Sequence, residues 1–287
     1  MKKIIVLLAL LVCGSGAFAQ DGKTGWQVEL SKLAVDITST EVKHAQDYQG
    51  FSDARLTSDS QTSVRGAWDS KADYHATHFV WTNQLLMDYG RTKIRPVDGE
   101  TLTNENADRI LFQTGYTQRL WKVEDFLGGF EIGPFADIAY ETEFTKPKDA
   151  PRKRVLRGMA GVKLFDGKYL KSLYAAIVGE RDFTYEPYAS KLAWETGFKL
   201  ELPVREGVTF KWNTLYRDYL DTTKKHYTDL DWEFETDARL DVALYKNLYV
   251  APFISYYTAK GKYVKARGEN VYIGVSFSFS HIFSEAK

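Results

Sequence analysis

From Leu230 to Leu244 the chain alternates with a period of two. Leu230, Trp232, Phe234, Thr236, Ala238, Leu240, Val242 and Leu244 carry no charge, while Asp231, Glu233, Glu235, Asp237, Arg239 and Asp241 stand between them. A β-strand sends these two sets to opposite faces. One face is apolar and the other strongly ionic. The pattern recurs in 191–202, where Leu192, Trp194, Phe198, Leu200 and Leu202 oppose Lys191, Glu195, Lys199 and Glu201. In 208–217, Val208, Phe210, Trp212 and Tyr216 oppose Lys211, Asn213 and Arg217. In 130–144, Phe130, Ile132, Ile138, Tyr140 and Phe144 oppose Glu131, Asp137, Glu141 and Glu143. In 109–121, Ile110, Phe112, Tyr116 and Leu120 oppose Arg109, Gln113 and Arg119.

Segments 63–73, 79–93, 154–165, 171–183, 248–257 and 270–283 follow more loosely. Segment 26–40 changes phase near Ser31, which predicts a bulge or a displaced boundary. These segments predict twelve strands. The connections 41–62, 94–107, 145–153, 184–190, 221–229 and 258–269 alternate with mostly shorter ones at 74–78, 122–129, 166–170, 203–207 and 245–247. Long loops outside and tight periplasmic turns are the habit of a transmembrane barrel. A soluble sandwich or lipocalin-like barrel also alternates, but turns its polar face outward. Trp121, Tyr140, Trp194, Trp232 and Tyr256 near strand ends suit interfacial girdles. The reading is a twelve-stranded antiparallel barrel of the bacterial outer membrane. Pro134 and Pro252 have no sheet edge to occupy in a closed barrel, so a local bulge is predicted at each.

Composition changes this picture only slightly. Lys plus Arg number 38 and so do Asp plus Glu, and no basic excess marks a nucleic-acid binder. A mean hydropathy of −0.37 excludes a helical membrane bundle. In a barrel the same value results from averaging the two faces. Lys2 and Lys3, the apolar run Ile4 to Val12 and Ala17-Phe18-Ala19 read as an export signal. The expected division is residues 1–19 as signal peptide and 20–287 as barrel. The single cysteine, Cys13, lies in the signal, or on a minority reading is the acylated first residue of a lipoprotein. The last strand runs Val271, Ile273, Val275, Phe277 and Phe279 on one face, is broken only by His281, and ends at Phe283. It resembles the signal read by the barrel-assembly machinery, the expected partner of this end.

A family resemblance lies in 79–145. Its residues are Trp81-Thr-Asn83, Asp88-Tyr89-Gly90-x-Thr92-Lys93, Asp108-x-Ile110, Gly115-Tyr116, Trp121 and Thr142-x-Phe144. The stretch resembles a Bacteroidetes outer-membrane family, the domain of unknown function 3078. It departs in lacking a Lys shortly before Asp108 and in having Glu143 where the family tends to have Gln. The resemblance implies an envelope barrel and brings no activity with it.

Catalytic patterns mostly fail. A barrel phospholipase pairs a His with a Ser ten residues on, but Ala54, Leu85, Asp88 and Thr236 stand ten after His44, His75, His78 and His226. His75 and His78 are too few for a metal site and read as solvated turn residues. His226, Asp229 and Asp231 are the candidates for a rim hydrolase, a proximity common in polar loops. No enzyme and no cofactor is expected.

The charged face carries the functional expectation. Its lumen-lining candidates are Lys191, Glu195, Lys199, Glu201, Lys211, Arg217, Asp231, Glu233, Glu235, Asp237, Arg239, Asp241, Glu131 and Asp137. They make either a pore wall selecting ions or small polar solutes or a salt-bridged plug. Twelve strands fall between filled eight-stranded barrels and open sixteen-stranded porins, so a narrow channel or binding barrel is the leading expectation. A non-conducting barrel whose outer loops bind lipopolysaccharide or a protein is the alternative. Two outer loops are basic, with Lys146, Lys148, Arg152, Lys153 and Arg154 in one and Lys260, Lys262, Lys265 and Arg267 in the other. They are candidates for lipopolysaccharide phosphates, or are simply solvated.

Overall fold

The computed structural model describes residues 24–57, 61–94, 102–147 and 150–286. The expected export signal with Cys13, and Lys148 of the first basic loop, lie outside the described residues. The strands are β1 (Gly25–Lys43), β2 (Gln61–His75), β3 (Phe79–Ile94), β4 (Leu102–Gln118, continued by Trp121–Val123) and β5 (Phe130–Thr142). They continue as β6 (Arg154–Phe165), β7 (Leu170–Asp182), β8 (Ala189–Arg205), β9 (Val208–Thr222), β10 (Leu230–Tyr245), β11 (Leu248–Gly261) and β12 (Arg267–Ser284). Each pairs antiparallel with the next, and β12 pairs with β1, Val35 opposite Phe277. The sheet is therefore a closed twelve-stranded barrel.

Strands this long reach beyond a bilayer, which a tilted strand of about ten residues already crosses. The extensions stand at the end with the long connections, which barrel convention places outside.

Burial is inverted relative to a soluble protein. Val35, Ile37, Phe112, Ile138, Leu156, Ile177, Trp212, Ile254 and Ile273 are exposed, whereas Asp36, Asp137, Glu141, Arg157, Glu180, Glu195 and Arg217 are buried. Aromatics tile the outer wall in two tiers. Trp194 meets Tyr216 at 5.2 Å between centroids and Phe198 meets Trp212 at 4.9 Å. The indole nitrogens of Trp194 and Trp212 donate to Asp218 and Thr236, both at 2.9 Å.

Several register shifts interrupt the ladders, and three places answer the expectations from the sequence. At Ser31 the β1 register slips against both neighbours, so the inward set changes from Glu29 to Lys32 and Asp36. At the turn end of β4, Gln118, Arg119 and Leu120 oppose only Gly133 and Pro134 of β5, between the pairs Thr117–Phe135 and Trp121–Ile132. The bulge expected at Pro134 therefore lies on the neighbouring strand. At Pro252 no register shift occurs. The ladder to β10 simply skips the step between Arg239–Phe253 and Val242–Val250, which corrects the expected bulge.

Candidate functional site

The inward ionic residues of β4 to β10 join into a near-continuous ring in the outer half of the lumen. Arg109 on β4 meets Glu141 on β5 at 3.3 Å. Arg157 on β6 binds Glu141 through Nη1 and Glu180 on β7 through Nε at 2.8 Å. Lys191 on β8 meets Glu180 at 3.6 Å, Asp182 at 3.0 Å and Asp229 at 3.5 Å. Arg217 on β9 bridges Glu195 on β8 and Glu233 on β10, both at 2.5 Å. Hydroxyls fill the remaining lone pairs. Tyr174 donates to Glu195 at 2.5 Å, and Tyr257 donates to Glu233 at 3.0 Å. Neighbouring strands are under about 5 Å apart, which lets each side chain reach the next.

The first long connection closes this ring across the lumen. Its 3₁₀ turn Ala45–Tyr48 and short helix α1 (Ala54–Thr57) put Tyr48, Phe51 and Leu56 against Tyr257 and Ala259 on the inner wall. The Tyr48 hydroxyl donates to the carbonyls of Ala259 and Ala266, each at 3.0 Å. Arg55 reaches Asp53 and Glu235 at 2.7 Å each. Lys153 comes from the third long connection to Glu141 at 2.9 Å and Asp53 at 3.5 Å. Burial would raise the Asp53 carboxyl, but the Arg55 and Lys153 charges hold it well below its usual range. Burial would likewise lower Lys153, and Glu141 and Asp53 hold it above its ordinary value. Glu143 has less such help, from the Lys153 charge alone. Burial pushes it up to about 8, although the Lys153 backbone N–H donates to it at 2.8 Å.

Below this stopper lies a cavity of about 240 Å³. Lys32, Arg65 and Arg239 stand on its wall with Asp69, Asp88 and Asp237. Arg65 and Lys32 converge on the fully buried Asp36 at 3.0 and 3.3 Å. Nearer the short turns, Lys211 and Arg239 meet Asp241 at 3.0 and 2.6 Å, and Lys71 meets Glu29 at 3.2 Å. Asp137 takes Gln113 at 2.8 Å and Lys163 at 3.6 Å. At the bulge, buried Arg119 binds Glu131, Asp166 at 3.1 Å and the His75 ring at 3.0 Å.

An apolar exterior around an ionic interior fits a bilayer, and a closed ladder is how strands satisfy their backbone there. The chain is an outer-membrane β-barrel. No family model and no curated protein matches it. Among solved structures it is similar to the NanC porin, at 10% identity and a TM-score of 0.43 over 85% of this chain and 98% of that one. It is also similar to the outer membrane channel DcaP of Acinetobacter baumannii, at 8% identity and a TM-score of 0.42 over 91% and 100% of the two chains. The translocator domain of the autotransporter NalP from Neisseria meningitidis covers 97% of this chain and 94% of its own, at 10% identity and a TM-score of 0.35.

The sequence candidates fall into separate groups. Lys191, Glu195, Arg217, Glu233 and Glu235 belong to the outer ring, and Asp237 and Arg239 line the cavity. Lys211, Asp241, Glu131 and Asp137 sit in clusters below. Lys199 and Glu201 have no ion pair among the described residues. Asp231 lies in the register shift at the outer end of β10 and is outside the ring. Four basic loop candidates move. Lys153 points into the lumen, and Arg154, Lys260 and Arg267 belong to strand ends. Lys146, Arg152, Lys262 and Lys265 remain in connections.

His75 corrects its expected place too, being buried as the last residue of β2. At the rim, the His226 backbone N–H donates to Asp229 at 2.8 Å, but its ring Nε2 donates to the Pro187 carbonyl at 2.8 Å and Asp229 also meets Lys191 at 3.5 Å, so the imidazole is not paired with the carboxylates of the rim candidates.

Sequence reasoning missed Asp53, Arg55, the inward course of Lys153, which it named only as a basic outer-loop residue, and Arg157. The first three are in connections, where no periodicity speaks. Arg157 shares its inward face with Val155 and Met159, and the apolar neighbours hide it.

Proposed function

We propose that the barrel holds or passes ions and small polar solutes through a constricted lumen. The observation carrying this reading is the 240 Å³ cavity beneath the ionic stopper, walled by charges of both signs. Its size is below the roughly 300–1,000 Å³ of sites for drug-sized ligands, so polymers and large solutes are unsuited to it. Cation and anion each meet a complementary group on the wall, and selectivity rests on size and hydrogen bonding more than on net charge.

The test is planar-bilayer recording of the wild type and of an Arg55→Ala/Lys153→Ala variant, which removes both cations that cross the stopper. The reading expects small wild-type conductance and a clear increase in the variant. No conductance in either protein at any voltage, together with no solute retained by the purified barrel, sinks it. One observation favours a second reading, a non-conducting envelope barrel. The stopper is tied to the wall by Tyr48 and Arg55 on several sides, as a permanent closure would be. A silent wild type whose outer-loop deletions abolish partner binding while the barrel stays folded would select that reading.

A further inference from the structure

Arginines inside the barrel and arginines on one part of its rim are treated differently. Arg119, Arg157 and Arg217 each meet two carboxylates. Arg152, Arg154 and Arg181 are exposed and have no ion pair among the described residues. Their hydrogen bonds go to neutral oxygens. Arg152 donates to the Phe144 carbonyl at 3.1 Å, Arg154 to the Phe183 carbonyl at 2.9 Å and Arg181 to the Ser190 hydroxyl at 2.8 Å.

Register places two of them side by side. Leu156 pairs with Arg181, and the Phe183 N–H donates to the Arg154 carbonyl at 2.8 Å. Arg154 and Arg181 are thus diagonal neighbours on the outward face of β6 and β7, a relation that spans about 7–8 Å. Exposed Leu156 lies on that same face, with exposed Tyr140 and Ile138 on neighbouring β5. Two like charges this close, without an acid between them, are poised for a shared anion. Planar guanidinium matches phosphate bidentately. At another part of the rim the charges are neutralised internally, since Arg267 and Lys43 meet Glu269 at 2.5 and 4.0 Å.

We propose that Arg152, Arg154 and Arg181 form a docking face for the phosphates of outer-leaflet lipopolysaccharide. A lipid source fits because the patch looks sideways, above an apolar wall and at the end with the long connections. Phe183, with the Arg181 guanidinium 5.8 Å from its ring centroid, supplies an interfacial aromatic beside it.

The experiment compares binding of bisphosphorylated lipid A by the intact barrel in detergent, by Arg154→Gln/Arg181→Gln, and by the control Arg267→Gln. Heat-modified gel migration verifies that each is folded. The double variant should bind about tenfold more weakly, as the loss of charge-assisted hydrogen bonds implies. The control should match wild type. Dephosphorylated lipid A should lose affinity for wild type, and inorganic phosphate at equal concentration should not compete. Equal binding by the double variant and wild type overturns the proposal. So does an equal loss in the control, undiminished binding of dephosphorylated lipid A, or effective competition by inorganic phosphate, which would mark a free-anion site. Should the double variant fail to fold, Arg181→Gln alone should still lose binding severalfold, and unchanged binding there overturns the proposal equally. These side chains face away from the lumen, so the outcome is independent of solute passage.

Discussion

The Arg55 guanidinium lies over the Tyr257 ring, 3.7 Å from its centroid. This contact ties the first long connection to β11 from inside the barrel, while Asp53 and Glu235 bind the same guanidinium from its edges. Tyr257→Leu keeps those ion pairs and removes the ring face, together with the hydroxyl's bond to Glu233. The connection should loosen by about 1–2 kcal/mol. Limited trypsin cleavage after Arg55 reads this directly and should accelerate about tenfold. Unchanged cleavage would mean that the ring contact contributes nothing to closure.

Arg217 sits between Glu195 and Glu233 with all three side chains buried. Arg217→Met leaves Glu195 without its cation and Glu233 with only the more distant Arg55 at 3.9 Å, and should destabilise the barrel by about 3–5 kcal/mol. Adding Glu195→Gln and Glu233→Gln to that variant should recover much of the loss. Urea titration of the micelle-embedded barrel measures both. Failure of the triple variant to recover would locate the damage in packing, since charge would then be balanced.

The alternation of apolar and ionic positions was sufficient for the barrel, because a closed sheet with one face in lipid must repeat it on every strand. Even the phase change at Ser31 was legible, since one extra residue exchanges faces. The stopper was not. Tyr48, Phe51, Asp53, Arg55 and Leu56 fold inward because partners far away in sequence receive them, Tyr257 and Glu235 among them, and no local pattern encodes that. Pro134 shows an intermediate case. The need for an irregularity could be read from its missing N–H, but the strand that would accommodate it could not.

Glu143 gives the outer connections a pH dependence. Burial raises its carboxyl from an ordinary 4.5 to about 8, so the folded form binds a proton that the unfolded form releases. Its contribution is present below pH 4.5 and declines as pH rises from about 4.5 to about 8. Asp53 runs oppositely. It is held down by Arg55 and Lys153, contributes above its ordinary 3.8, and loses that contribution as pH falls through the depressed value. Amide exchange in residues 143–153, corrected for intrinsic rate, should therefore speed up between about pH 5 and 8. Glu143→Gln should flatten that trend, and a variant with the wild-type profile would assign the dependence elsewhere.

Gly133 tests the bulge. A Cβ there would come within 1.6 Å of the Gln118 carbonyl oxygen, a backbone atom that cannot swing aside. Gly133→Val should prevent proper pairing of β5 with the continuation of β4 and lower the yield of heat-modifiable barrel severalfold. Gly158→Val, where a Cβ would meet nothing within 4 Å, should assemble normally. Equal yields of the two variants would refute the close approach.

The pairing of Val35 with Phe277 joins strands from opposite ends of the described chain. Every other ladder among the described residues joins strands that are consecutive in sequence, so this seam is the single ladder that must wait for all the others. Until it forms, β1 and β12 present bare edges, and a growing sheet with bare edges recruits strands from its neighbours. The molecule's vulnerable moment is thus a property of its connectivity. A cell making this protein must shelter one open seam for as long as the remaining ten strands take to arrive.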